Sequence, residues 1–277
     1  MIWSCPYTKI CPFNGEKFCG NEKEKPIYLS FHSDKLTSTE CYVGHAINCW
    51  NEWVELRSRW LPSMKRVCES ITGTDLDAEI YQKAVDMVIL HHDIGKLTKE
   101  YQCKNFFRHE AISAHILFPW LKEIVSENTL TAMFSAAVYL HHEGLQIAHK
   151  HFEMREPTYS YLLNWLSPWV FSKVNYWNEL IFKINRYFDI PTPSAVQSDL
   201  ISGSNIAETL GAVLINVDGC TEPLVTRLGV AAILHPLTVC DNRAATKRGG
   251  TPTKISQAVG RSNKTVLVGA KNEPNHV

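Results

Sequence analysis

At 277 residues, with 45% hydrophobic and 20% charged side chains, the chain can build one large or two small domains around a substantial core. Its formal net charge is zero, which excludes a polycationic binder whose overall charge supplies the affinity for nucleic acid. No apolar run reads as long enough to cross a bilayer, and Met1-Ile2-Trp3-Ser4-Cys5-Pro6 lacks the regions of a signal peptide. A cytoplasmic location without a membrane partner is therefore expected.

Nine cysteines without an export signal argue for reduced thiols rather than a disulfide framework. Cys49, Cys68, Cys103, Cys220 and Cys240 fall in apolar or helical stretches and read as small core residues. Cys5, Cys11 and Cys19, with His32 and Cys41 downstream, admit a small zinc or iron–sulfur site, but no Cys-x-x-Cys pair supports one.

In chain order, residues 1–38 are irregular and punctuated by Pro6, Pro12, Gly15, Gly20 and Pro26. From about Thr39 the spacing of Cys41, Val43, Ala46, Ile47, Trp50, Trp53, Val54 and Leu56 predicts a helix capped by Ser38 or Thr39. A second helix runs from Asp77 to Leu90, and Gly95 ends or loosens it. A third runs from Arg108 to Leu117 and stops near Pro119; a fourth covers Leu130 to His142. Tyr159 to Phe171, Tyr176 to Phe188, Ser204 to Val217 and Arg227 to Ala245 read as further helices, with Val213 to Val217 the one run that also suits a strand. The expected fold class is all-α, with a folded domain over 39–245 and a mobile, basic tail over 246–277.

Histidines and acids keep falling at the ends of these apolar helices: His45, His92-Asp93, His109, His141-His142 and Asp241. Each alone is more often a surface, capping or hydrogen-bonded core residue. Together they are costly unless something compensates them, and a shared metal centre does so. Imidazoles with carboxylates suit borderline ions such as manganese, iron, cobalt, nickel or zinc better than calcium.

The ordered set His45, His92-Asp93-x-Gly95-Lys96, Arg108-His109-Glu110-x-x-Ser113-Ala114, His141-His142 and Asp241 resembles the HD superfamily of metal-dependent phosphohydrolases. In detail it is most similar to the stand-alone HD nuclease of type I CRISPR systems. The resemblance implies a helical bundle with a metal site between helices. It implies one ion held by His45, His92, Asp93 and Asp241, with Asp93 bridging to a second held by His109, His141 and His142. His91 has no ligand role in this pattern. The chain carries no Gly-x-x-x-x-Gly-Lys-Ser/Thr phosphate loop, which fits a nuclease whose helicase is a separate subunit.

The resemblance thus implies a two-metal nuclease, with two divalent ions (manganese, cobalt, nickel or iron, with magnesium also admitted) acting on single-stranded DNA. Its partners would be a separate helicase and an RNA-guided targeting complex. Asp93 and Lys96 would be catalytic, and Lys96 and Arg108 would meet substrate phosphate. Lys99, Lys104 and the stretch from Arg243 to Lys271 could guide a strand, and Tyr101, Phe106 and Phe107 could stack its bases. Two other readings share these residues: an HD phosphohydrolase acting on nucleotides or cyclic nucleotides, and a non-catalytic helical recruitment module.

Overall fold

The computed structural model describes residues 11–16, 18, 28–31, 40–104, 108–142, 158–194, 198–218 and 223–247. Helices dominate: α1 (Tyr42–Thr72), α2 (Ala78–His91), α3 (Lys99–Gln102), α4 (His109–Val125), α5 (Asn128–Leu140), α6 (Thr158–Leu166), α7 (Trp177–Tyr187), α8 (Gly203–Asp218) and α9 (Pro223–Lys247). A 3₁₀ turn, Ile94–Lys96, follows α2. Two antiparallel strand pairs complete the described residues, β1 (Leu29–Phe31) with β2 (Glu40–Cys41) and β3 (Val170–Ser172) with β4 (Leu200–Ser202). The all-α expectation holds for the bulk of the chain, and the Val213 to Val217 run is helical.

The core is a bundle in which α5 touches α4, α8 and α9, while α1 lies along α9 and α2. Helix α5 owes its central place to composition: every residue from Leu130 to Leu140 is buried, and its alanines let neighbouring helices approach closely. Caps define the ends. The Cys41 sulfur accepts the Gly44 amide at the start of α1, whereas Ser38 and Thr39 lie outside the described residues. Helix α1 ends at Gly73 in a left-handed conformation, and the Asp77 carboxylate accepts two amides at the start of α2.

Four expectations are corrected. Helix α4 does not stop near Pro119 but continues to Val125; burial of Trp120, Leu121 and Val125 outweighs the hydrogen bond that the proline removes. The helix expected over Tyr159 to Phe171 ends at Leu166, and Phe171 belongs to β3, paired with Ile201. Cys103 is exposed rather than a core residue. Lastly, α9 is long and apolar enough to span a membrane by composition; here it packs against α1 and α5, with about half of its apolar window buried. Cys5, Cys19, Cys220 and His32 fall outside the described residues, as does the basic stretch beyond Lys247. Cys11 and Cys41 are both partly buried.

Candidate metal centre

The site forms where five helix ends meet. His45 is in the first turn of α1, Asp241 near the end of α9, and His141 and His142 close α5. His92 caps α2 and donates its amide to the Val88 carbonyl; Asp93 then leaves the helix, and the 3₁₀ turn carries Lys96 back toward it. Gly95 makes this possible. Its amide donates to Ser113 Oγ at 2.9 Å, and a Cβ there would sit 2.1 Å from the His109 carbonyl oxygen. The turn therefore docks directly on the first turns of α4, which brings His109 to Asp93. His109 and Ser113 are four residues apart, on one face of α4, so the two halves of the Arg-His-Glu-x-x-Ser block serve one contact.

Asp93 is the hub. One carboxylate oxygen, Oδ1, lies 3.1 Å from His109 Nε2, 3.3 Å from His141 Nε2 and 3.8 Å from His142 Nε2. The other, Oδ2, lies 3.3 Å from His45 Nε2, 3.8 Å from His92 Nε2 and 2.6 Å from Lys96 Nζ. Asp241 Oδ1 is 3.2 Å from His45 Nε2 and 3.8 Å from His92 Nε2. Two groups of converging donors result: an inner one of His45, Cys49, His92 and Asp241, and an outer one of Asp93, His109, His141 and His142. All seven residues expected to hold metal are thus brought together.

Orientation of the imidazoles favours ligation through Nε2. His45 Nδ1 faces the buried Glu40 carboxylate at 3.1 Å, and Nδ1 of His92 and of His141 face the Ile89 and Val138 carbonyls. Each of these contacts places the proton on Nδ1 and leaves the Nε2 lone pair pointing inward. His92 Nε2 is buried and has no hydrogen-bond partner among the described residues, a costly state that a cation would relieve. His109 Nε2 and His142 Nε2 stand 3.0 Å apart, again with Asp93 close by. The residues present fit a pair of cations.

Electrostatics point the same way. Burial pushes the Asp93 carboxyl up, but Lys96, His92 and hydrogen bonds from His109 and His141 hold it well below the carboxylate range. Asp241 is likewise held low against burial, by the imidazoles of His45 and His92. Burial takes His109 and His141 down to about 3. His45 moves the other way: burial opposes its charge, yet Cys49, Asp241 and Asp93 raise it well above the ordinary histidine value.

Some expected roles sit differently. The Lys96 ammonium is buried against Asp93 rather than projecting to solvent. Arg108 hydrogen-bonds Glu110 and lies 5.9 Å over the Tyr139 ring, one residue before His109. Tyr101 is buried, with its hydroxyl donating to the Ser30 carbonyl and its ring edge-on to His109, so it is a packing residue and not an open platform for bases. Lys99 and Lys104 are exposed, whereas Arg243 and Lys247 pair with Glu52. Phe106 and Phe107 lie outside the described residues. His91 bridges Tyr42 and Asn185 away from the donor groups. Sequence reasoning missed Glu40, whose only signal was an acid just before the first helix, and Cys49, which helical spacing places among core positions.

No protein-family model matches the chain. Among curated proteins, it is 31% identical over 235 residues to the CRISPR-associated endonuclease Cas3-HD of Thermoproteus tenax, covering 81% of this chain and 92% of that one. The proteins of the same description from Pyrococcus furiosus and Methanocaldococcus jannaschii are 26% and 24% identical over 222 and 229 residues, covering 75% and 78% of this chain and 89% and 90% of theirs. The structure of a CRISPR-associated Cas3 HD domain protein from Methanocaldococcus jannaschii superposes with a TM-score of 0.56 at 22% identity, over 72% of this chain and 96% of that one, and so shares its fold. The chain belongs to the CRISPR-associated Cas3-HD endonuclease family.

Proposed function

We propose that this protein is a divalent-metal-dependent DNA nuclease that prefers single strands and degrades invading DNA in the cytoplasm, working with a separate helicase and an RNA-guided targeting complex. The observation that carries the reading is the division of labour at Asp93: its two carboxylate oxygens face two different sets of inward-pointing donors. A carboxylate that faces both donor sets would hold two cations close together, as two-metal phosphodiester hydrolysis needs. His45, His92 and Asp241 would complete one site and His109, His141 and His142 the other. Manganese, cobalt, nickel or iron suit such imidazole-rich sets, and magnesium suits them less well. When bound, the cations supply Lewis acidity toward the scissile phosphate and the attacking water.

The chain's own residues do the rest. Lys96 holds the Asp93 carboxylate through its ammonium and would neutralise part of the charge of a phosphate bound beside it. Arg108, held by Glu110 and Tyr139 and next to His109 in sequence, would supply a second cation near the site. His142, with 36% of its side chain exposed, marks the face from which a strand reaches the chemistry. Glu40, Ile89 and Val138 hold three imidazoles in the tautomer that ligates.

The experiment is cleavage of labelled single- and double-stranded DNA by purified protein with manganese, cobalt, nickel or magnesium, beside an Asp93→Ala control. Metal-dependent cleavage of single strands that Asp93→Ala lacks is the expected result. Equal cleavage by both proteins discards the assignment. Turnover of a nucleotide panel without DNA cleavage would move the reading to a nucleotide phosphohydrolase, and failure to bind any divalent ion to a recruitment module.

A further inference from the structure

One donor in the inner group takes no part in the chemistry proposed for the paired cations. Cys49 lies one turn after His45 on α1, so both side chains leave the same face of the helix. It is fully buried, and its Sγ is 3.5 Å from His45 Nε2. Donor atoms of Cys49, His45, His92 and Asp241 all lie within 4.8 Å of one another. We propose that Cys49 is a thiolate ligand of the inner cation, which makes that site a sulfur-containing cage selective for softer divalent ions. This rests on the reading of the cluster as a cation site.

The geometry supports a shared ion. A metal–sulfur bond of about 2.3 Å and a metal–nitrogen bond of about 2.0 Å at a tetrahedral angle set sulfur and nitrogen roughly 3.5 Å apart. That is the spacing between Cys49 Sγ and His45 Nε2. His92 supplies an independent sign: its buried, unpartnered Nε2 faces the same space. The chain provides its own contrast. Cys68, also fully buried, meets Tyr81 Oη at 3.3 Å, and Cys240, next to Asp241 in sequence, is outside the converging donors. Cys49 differs from both in meeting His45 Nε2 with the donor atoms of His92 and Asp241 also close by.

Ligation breaks the S–H bond and forms a sulfur–metal bond; the proton leaves to buffer, and nothing is oxidised or reduced. Sulfur favours iron(II), cobalt, nickel or zinc over manganese and magnesium, whereas the outer group offers only nitrogen and oxygen. The two sites would thus differ in metal preference.

The test loads the full chain with cobalt(II), with binding followed by equilibrium dialysis and sulfur-to-cobalt charge transfer by near-ultraviolet absorption. Wild type should bind cobalt and show the charge-transfer band. Cys49→Ala and Cys49→Ser should lose the band and bind cobalt about tenfold more weakly or worse, with a smaller change for manganese. X-ray absorption of the cobalt-loaded wild type needs no variant and should find one sulfur neighbour at about 2.3 Å. Cobalt bound without a sulfur neighbour, or a band that survives in Cys49→Ala, overturns the assignment of Cys49 while leaving the cation site standing. No cobalt binding at all overturns the cation site itself, and the assignment of Cys49 falls with it.

Discussion

The inner and outer donor groups share Asp93 as neighbour or member but are built in opposite ways. The inner group is drawn from α1, α9 and the end of α2, is buried throughout, and has His45 locked by the buried Glu40. The outer group joins Asp93 to the first turn of α4 and the last residues of α5; His142 is 36% exposed, and among the described residues only His141 has a backbone carbonyl fixing its ring. Residues 143–157, next in the chain, lie outside the described set. Preorganised, dry donors bind tightly and exchange slowly, while donors at a solvent boundary can share an ion with an incoming ligand. On the proposed reading, the contrast would make the inner group a holding site and the outer group a working site.

Removing one aspartate or one histidine is the sharpest way to break this contrast. Asp241→Ala should cost on the order of 10²–10³ in cleavage rate, with loss of the tightly held ion by mass spectrometry under native conditions. His142→Ala should retain that ion and instead need roughly 10–100-fold more metal for half-maximal cleavage. Identical behaviour of the two variants would erase the distinction between holding and working sites.

Glu40→Gln probes the locking of the inner group. A neutral amide in place of the carboxylate weakens the hold on His45 Nδ1 and should lower inner-site affinity by about tenfold, at the gentle end of such effects. Calorimetric titration with cobalt reads this directly, and unchanged affinity would mean that helix packing alone positions His45. Gly95→Ala probes the joint between the groups. An added methyl meets the His109 backbone, which cannot swing aside, so a loss of about 1–3 kcal/mol is expected. Urea melts that coincide with wild type would show that the turn and α4 are not in firm contact.

Acid should act on the fold through the outer group's His109 and His141 and through two buried histidines elsewhere, His91 and His115. Burial lowers His91 and His115 to about 4, as it lowers His109 and His141 to about 3. The unfolded chain, with ordinary histidines near 6.5, takes up these protons first. The contribution of these histidines to the stability of the metal-free protein is therefore fully present above pH about 6.5, is lost as pH falls from there, and levels off once pH has passed 4 and then 3. His45, raised in the folded state, works against this trend but is outnumbered. Melting temperatures across this range check the sign, and a rise on acidification would contradict it.

Much of the site was legible because polar residues at the ends of apolar helices are expensive and therefore conspicuous; His92-Asp93 after a buried helix is the clearest case. Cys49 was not legible, since a small apolar-like residue at helical spacing is indistinguishable from core without its neighbours. Glu40 precedes the helix it serves and carries no periodic signal. Lys96 follows a glycine, where a lysine usually points outward; only the 3₁₀ turn folds it inward. Helix types were legible where periodicity was long, as in α5 and α8. The three-residue strands β3 and β4 were not, because pairing between distant segments leaves no local pattern.

Asp241 has a consequence in time. Ribosomes deliver a chain from its N-terminus, and His45 and Asp241 are separated by almost the whole described fold. A nascent polypeptide therefore exposes the histidines long before the closing carboxylate emerges on α9. Until that helix docks along α1, His45 and His92 lack the Asp241 carboxylate, and a metal site that uses it would be completed only when nearly the entire bundle has been made.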